Sequence, residues 1–170
     1  TLSYPATVEN TSITIRATDV ENNFTEQTFL VSVTDSPIVL YRINTGGLEI
    51  AAIDGEINWS EDSVSNNSPF LTLPGTNKSF ASSITSLTPQ VNTATTPLGI
   101  FDSERFDDSV GNPNMTYSFP VPINGNYEVR LYMGNSFSGT SAPNQRIFDV
   151  TLENKIYPEL KNTDLSATYG

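Results

Sequence analysis

The chain has 170 residues, a net charge of −11, 36% hydrophobic and only 16% charged residues. That length suits one full domain with part of a second. The acidic balance argues against nucleic acid, whose binding rests on Lys and Arg neutralising phosphates, and against anionic membrane surfaces. With Cys 0 and His 0, disulfides, thiolate nucleophiles, structural zinc and imidazole-based triads are excluded, so any metal must sit among oxygens. No run approaches the roughly 18 apolar residues of a membrane helix. The chain starts at Thr1 without a leader or initiator methionine, which reads as a segment of a longer protein.

Residues 12–18, SITIRAT, place Ile13, Ile15 and Ala17 on one face, and residues 28–34, TFLVSVT, do the same with Phe29, Val31 and Val33. A period of two on either side of the turn-rich DVENNFTEQ predicts a β-hairpin. Two strands alone bury too little apolar surface to be stable, so the hairpin is expected to close a preceding sandwich domain. Asp35, Ser36 and Pro37 form a short stiff linker, because proline biases its predecessor away from helix. A new strand follows over residues 38–44. Residues 45–100 are broken by TGG, DGEINWSED, SNNSP, LPGTNKS and TATTPLG, and no 3.6-residue period persists there, so no long helix is predicted.

Alternation returns in Tyr117, Phe119 and Val121, in Tyr127, Val129, Leu131 and Met133, and in Phe148, Val150 and Leu152. Asn124-Gly125 within PVPINGN reads as a turn between the first two runs. The fold class is therefore all-β, an antiparallel β-sandwich. Tyr127, Val129, Leu131, Phe148, Val150 and Leu152 are expected to point into one core.

The stretch GIFDSERFDD crowds Asp102, Glu104, Asp107 and Asp108. Glycoside hydrolysis needs two carboxyls facing each other across the scissile bond, one with a raised pKa. Four carboxylates in a solvated loop repel one another without obviously meeting that geometry. The reading is a turn held by a Glu104–Arg105 pair, with polar sugar contacts as the functional alternative and calcium behind both. Calcium is also considered at Asp19, Glu21 and Asp35, at the junction after the hairpin.

The phrase ATDVENNFTEQTFLVSVTD resembles the last strands of bacterial immunoglobulin-like or cadherin-like repeats, and implies a domain ending near residue 36. Four further phrases fall in order: YRINTGG at 41–47, DGEINWSED at 54–62, GIFDSERFDD at 99–108, and YSFPVPINGNYEVRLYMGN running on to RIFDV at 146–150. Together they resemble the malectin family over about residues 39–170 and imply a jelly-roll type sandwich for residues 37–170. The family pattern continues past a phrase similar to NTDLSATYG, so closing strands are expected from beyond residue 170 or from a partner chain.

The resemblance implies a non-catalytic carbohydrate-binding module on a large secreted or cell-surface bacterial protein, with a glucan-type or other glycan as ligand and neighbouring domains as partners. No cofactor is implied. The family's stacking tyrosines fall by position on Phe80, Phe101 and Phe137, with Ser138 in place of an adjacent aromatic. Asn135 sits in the loop between two strong strands, where binding residues tend to be carried, and Asp102 or Glu104 would lie at the cleft rim. Trp59 reads as core, and Asn44, Gly46 and Gly47 as shaping a strand end. The alternative is a structural or adhesive spacer that has lost its sugar, with the phenylalanines simply core.

Overall fold

A computed structural model describes residues 1–4, 8–18, 20–34, 37–84, 91–108 and 114–169. The chain is all-β, with short antiparallel pairs and one short terminal helix. Strand β1 (Leu2–Tyr4) precedes the predicted hairpin of β2 (Val8–Thr18) and β3 (Phe24–Thr34). The hairpin register runs unbroken from Val8 opposite Thr34 to Thr18 opposite Phe24. Ile13 therefore faces Phe29 and Thr11 faces Val31 on one side of the ribbon. On the other, Thr14 and Thr28 share a hydrogen bond of 2.9 Å and Arg16 pairs with Glu26 at 2.6 Å. Among the described residues the hairpin joins no other sheet, and Ile13, Ile15 and Phe29 remain exposed. Asp35 and Ser36 of the expected linker, with Asp19, lie outside the described residues.

The strand expected over 38–44 is two strands, β4 (Ile38–Tyr41) and β5 (Ile43–Thr45). Arg42 separates them because its side chain turns inward. Its guanidinium donates to both carboxylate oxygens of Asp54 at 2.8 and 2.6 Å, and lies 5.3 Å from the Trp59 ring. β5 then pairs in parallel with β6 (Ser60–Asp62). Next come β7 (Leu71–Leu73), β8 (Lys78–Ala81), a 3₁₀ turn at Leu98–Phe101, and β9 (Ser103–Phe106), which runs antiparallel to β8. β10 (Thr116–Tyr117) pairs with β7, and β11 (Glu128–Val129) pairs with β1. β1 thereby becomes the middle strand of a β11–β1–β4 sheet. Beyond it, β12 (Ile147–Phe148) pairs with β15 (Thr163–Asp164), and β13 (Thr151–Leu152) with β14 (Lys155–Ile156). The helix α1 (Leu165–Tyr169) follows.

One expectation is sharpened here and one corrected. Asn124-Gly125 lies in a bend between the two runs, but the flanking β10 and β11 belong to different sheets, so it closes no hairpin, and neither residue takes the positive φ of a type I′ turn. The six-residue core fails in part. Val129 and Leu131 are each 42% exposed, while Tyr127, Phe148, Val150 and Leu152 are half-buried. Alternation identifies an apolar face but not whether anything covers it. The residue of this run that reaches Trp59 is Tyr132, on the opposite parity, edge-on at 5.3 Å. Trp59 itself is 2% exposed, as its core reading requires, and Leu2, Ile100 and Leu165 are also buried. A second aromatic cluster joins Tyr41, Phe70, Phe119 and Tyr117 with centroids 4.7 to 6.1 Å apart.

Candidate functional site

Successive side chains of a strand point to opposite faces, and on β9 that separates Glu104 from Arg105. Arg105 faces inward. Its Nε and Nη2 donate to the two Asp62 carboxylate oxygens at 3.0 and 3.0 Å, and neither side chain keeps any exposed surface. Nη2 also lies within hydrogen-bond reach of the Asp62 and Ser63 carbonyls at 2.7 and 2.9 Å and of Asn67 Oδ1 at 3.2 Å, and Nη1 donates to Asn77 Oδ1 at 2.5 Å. Asp62 also accepts the Ser68 amide at 2.8 Å and the Tyr117 hydroxyl at 2.5 Å. Burial, then this bond to Asp62, pushes the Tyr117 phenol far above its ordinary range. A buried charge so completely paired is structural.

Glu104 and Arg105 therefore form no pair with each other, correcting the expected turn-holding contact. Gly46 lets β5 come close enough to reach β9. At φ +85°, a Cβ there would lie 2.5 Å from the Glu104 carbonyl carbon and oxygen. Asn44, buried beside it, donates to the Leu48 carbonyl at 2.8 Å, which supports the strand-end role of this segment.

Glu104 faces the other way, and its partner is 42 residues distant. Arg146 donates to its two carboxylate oxygens at 3.0 and 2.9 Å, in a fork that remains 18% exposed at Glu104 and 21% at Arg146. Arg146 Nη1 also reaches Asn135 Oδ1 at 3.3 Å. Asn135 in turn donates to the Thr140 carbonyl at 2.6 Å and to Ser166 Oγ at 2.7 Å, and accepts from Thr140 Oγ1 at 2.9 Å. Loop residues 135–140 are thus tied to β9 on one side and to α1 on the other.

That loop presents Phe137, 41% exposed, edge-on against Phe80 with centroids 5.1 Å apart. Phe80 lies directly opposite Glu104 in the β8–β9 register. Gly139 lies against the Phe137 ring, and a methyl group there would overlap it.

Four sequence-predicted site residues, Phe80, Glu104, Asn135 and Phe137, are therefore brought together. Phe101 and Asp102 adjoin them through β9. The Phe101 ring is half-buried, packs edge-on toward Tyr132 at 6.4 Å and lies 3.5 Å from the Cβ position of Gly134. Asp102 holds the chain leaving β8: Oδ1 accepts the Ile84 amide at 2.8 Å and its carbonyl accepts Ser82 at 2.8 Å. Ser138 is exposed at the start of a 3₁₀ turn, Ser138–Thr140. Asp108 pairs instead with Lys78 at 2.6 Å on the surface.

Sequence reasoning passed over Arg146 and Tyr132. The signal for Arg146 was its scarcity value: a chain with only 8 Lys and Arg places one inside the RIFDV phrase. A depression of about 380 Å³ at the hairpin tip is lined by Ala17, Thr18, Asn23, Phe24 and Thr25, none of them among these residues. Of the suggested calcium ligands, Asp19 and Asp35 lie outside the described residues.

No curated protein and no solved structure matches the sequence. The family described as Malectin domain matches residues 39–170, well over half of the chain, and includes every residue of the Phe80–Glu104–Asn135–Phe137–Arg146 group. The chain belongs to the malectin-domain family of carbohydrate-binding, non-catalytic domains.

Proposed function

We propose that the chain is a carbohydrate-binding module of a large secreted or cell-surface protein, taking its glycan at the Phe80–Phe137 platform. The observation that carries this reading is an exposed ring held beside a ready set of hydroxyl partners. The C–H face of a pyranose stacks on an aromatic ring, while its hydroxyls take carboxylate, amide and guanidinium groups. Phe137 offers the first, 41% exposed. Glu104 and Arg146 offer the second, oriented by each other and by Asn135, whose own amide is committed to Thr140, Ser166 and Arg146. Phe101, half-buried beside Gly134 and Tyr132, is the second ring this reading assigns to the glycan. Glu104 is forked by Arg146 and Asp62 is closed off with Arg105, so neither is free for acid–base work, which supports binding rather than hydrolysis.

The β2–β3 ribbon, residues 8–34, belongs in this reading to a neighbouring immunoglobulin-like module of the same parent protein, supported by its uncovered Ile13, Ile15 and Phe29, whereas β1 pairs with β4 and β11 of the malectin domain. The same uncovered face favours a second reading, a spacer that holds modules together without binding sugar. A shallow open site of this kind binds at roughly micromolar to millimolar strength, about −8 to −4 kcal/mol. Probing a glycan array with the wild-type chain and with Phe137→Ala and Phe101→Ala decides between them. Glycan binding that both substitutions abolish, with unchanged thermal unfolding, is the expected result. Binding that survives them removes the glycan from this platform, and no binding at all transfers the assignment to the spacer.

A further inference from the structure

Resting on that carbohydrate reading, we propose that Glu104 is a specificity-determining residue: by occupying the guanidinium fork of Arg146, it restricts the site to uncharged glycans. Acidic sugars carry carboxylate or sulfate groups, and proteins take these chiefly with arginine forks. Arg146 is the cation built into the site, and its fork is spent. Nη1 and Nη2 each meet a Glu104 oxygen, at 3.0 and 2.9 Å, and Nη1 also meets Asn135. A sugar carboxylate taking the Nη1–Nη2 face of Arg146 must displace Glu104, and one approaching the Nε edge sits beside it, two like charges at one cation.

The neighbouring charges reinforce this. Lys78, two residues before Phe80 and so on the same face of β8, is tied to Asp108 at 2.6 Å. Arg105 is sealed on the opposite face with no exposed side-chain surface. Asp102 adds a carboxylate next to Phe101, and the chain as a whole carries −11. Neutral hydroxyls meet none of these penalties, since the outer lone pairs of Glu104 accept from them without a change of net charge.

The test is a glycan array holding neutral oligosaccharides beside their uronic-acid and sulfated counterparts, followed by titration calorimetry of the best matched pair with the whole chain. Wild type is expected to bind the neutral member at least tenfold tighter. Glu104→Gln, nearly isosteric and uncharged, is expected to raise the acidic-to-neutral affinity ratio at least tenfold, and Arg146→Gln added to it to cancel that rise. Equal wild-type binding of both members overturns the proposal while leaving sugar binding intact. So does a ratio unmoved by Glu104→Gln, or a rise that persists without Arg146. Binding of no glycan overturns the carbohydrate reading and this inference together. Should Glu104→Gln fail to fold by its thermal melt, the wild-type ratio alone decides.

Discussion

On the inner face of β9, Arg105 and Asp62 are sealed from solvent with every guanidinium nitrogen hydrogen-bonded. On the outer face, one residue away, Glu104 and Arg146 make an equally good fork yet keep 18% and 21% of their surface. The chemistry is the same and the surroundings differ. A buried pair is costly to break because a lone charge stays behind in low dielectric, whereas a half-exposed pair can be rehydrated when one partner leaves. The inner fork is therefore suited to fixing β9 against β6, and the outer one to holding a loop that a ligand touches.

Mutations on the two faces should separate stability from binding. The largest effect is expected from Arg105→Ala, which strands the Asp62 carboxylate in the core. It should cost about 3–5 kcal/mol in denaturant unfolding, and a loss under 1 kcal/mol would break the comparison. Gly46→Ala follows. It forces a side chain at φ +85° against the Glu104 backbone, and about 1–3 kcal/mol of strain is expected, read as a lowered unfolding midpoint.

The Arg42–Asp54 fork is intermediate, with side chains 7% and 13% exposed. Chiefly through the Arg42 hydrogen bond, Asp54 is lowered from 3.8 to about 2. A carboxylate depressed on folding stabilises the native state above its unfolded pKa, and that contribution is lost as pH falls through the folded one. Asp54→Asn should thus cost on the order of 1–2 kcal/mol at neutral pH, after allowance for solvent screening. The difference from wild type should shrink between about pH 4 and pH 2, when unfolding is followed across that range.

On the outer face, Arg146→Gln should cost only about 1 kcal/mol or less of stability. It should nevertheless weaken glycan binding by loosening Asn135 and its loop, as calorimetry would show. Gly139→Ala should change stability least, within about 0.5 kcal/mol. Because its methyl displaces the Phe137 ring, affinity should still fall, and an unchanged affinity would remove Phe137 from the site.

The separation of Glu104 from Arg105 was legible in principle. A strand period of two forbids neighbouring side chains from pairing across one face, and the SERF segment is a strand. What opposed that reading was the density of carboxylates, which suggests a solvated turn. Arg146 could not be assigned to Glu104 without the fold, because 42 residues separate them and strands β10 and β11 intervene.

Local alternation by itself determined the β2–β3 hairpin and the all-β class, since side-chain periodicity and turn residues act over a few neighbouring positions. The ordered phrases pointed to the family whose model matches residues 39–170, and to Trp59 in the core. Only the tertiary structure decided which alternating faces are covered: Tyr132 reaches Trp59 while Val129 and Leu131 stay 42% exposed. It alone also decided which carboxylate meets which arginine. Coverage and ion pairing depend on what other segments bring to the same place, and that information lies in the packing of distant strands rather than in the strand's own residues.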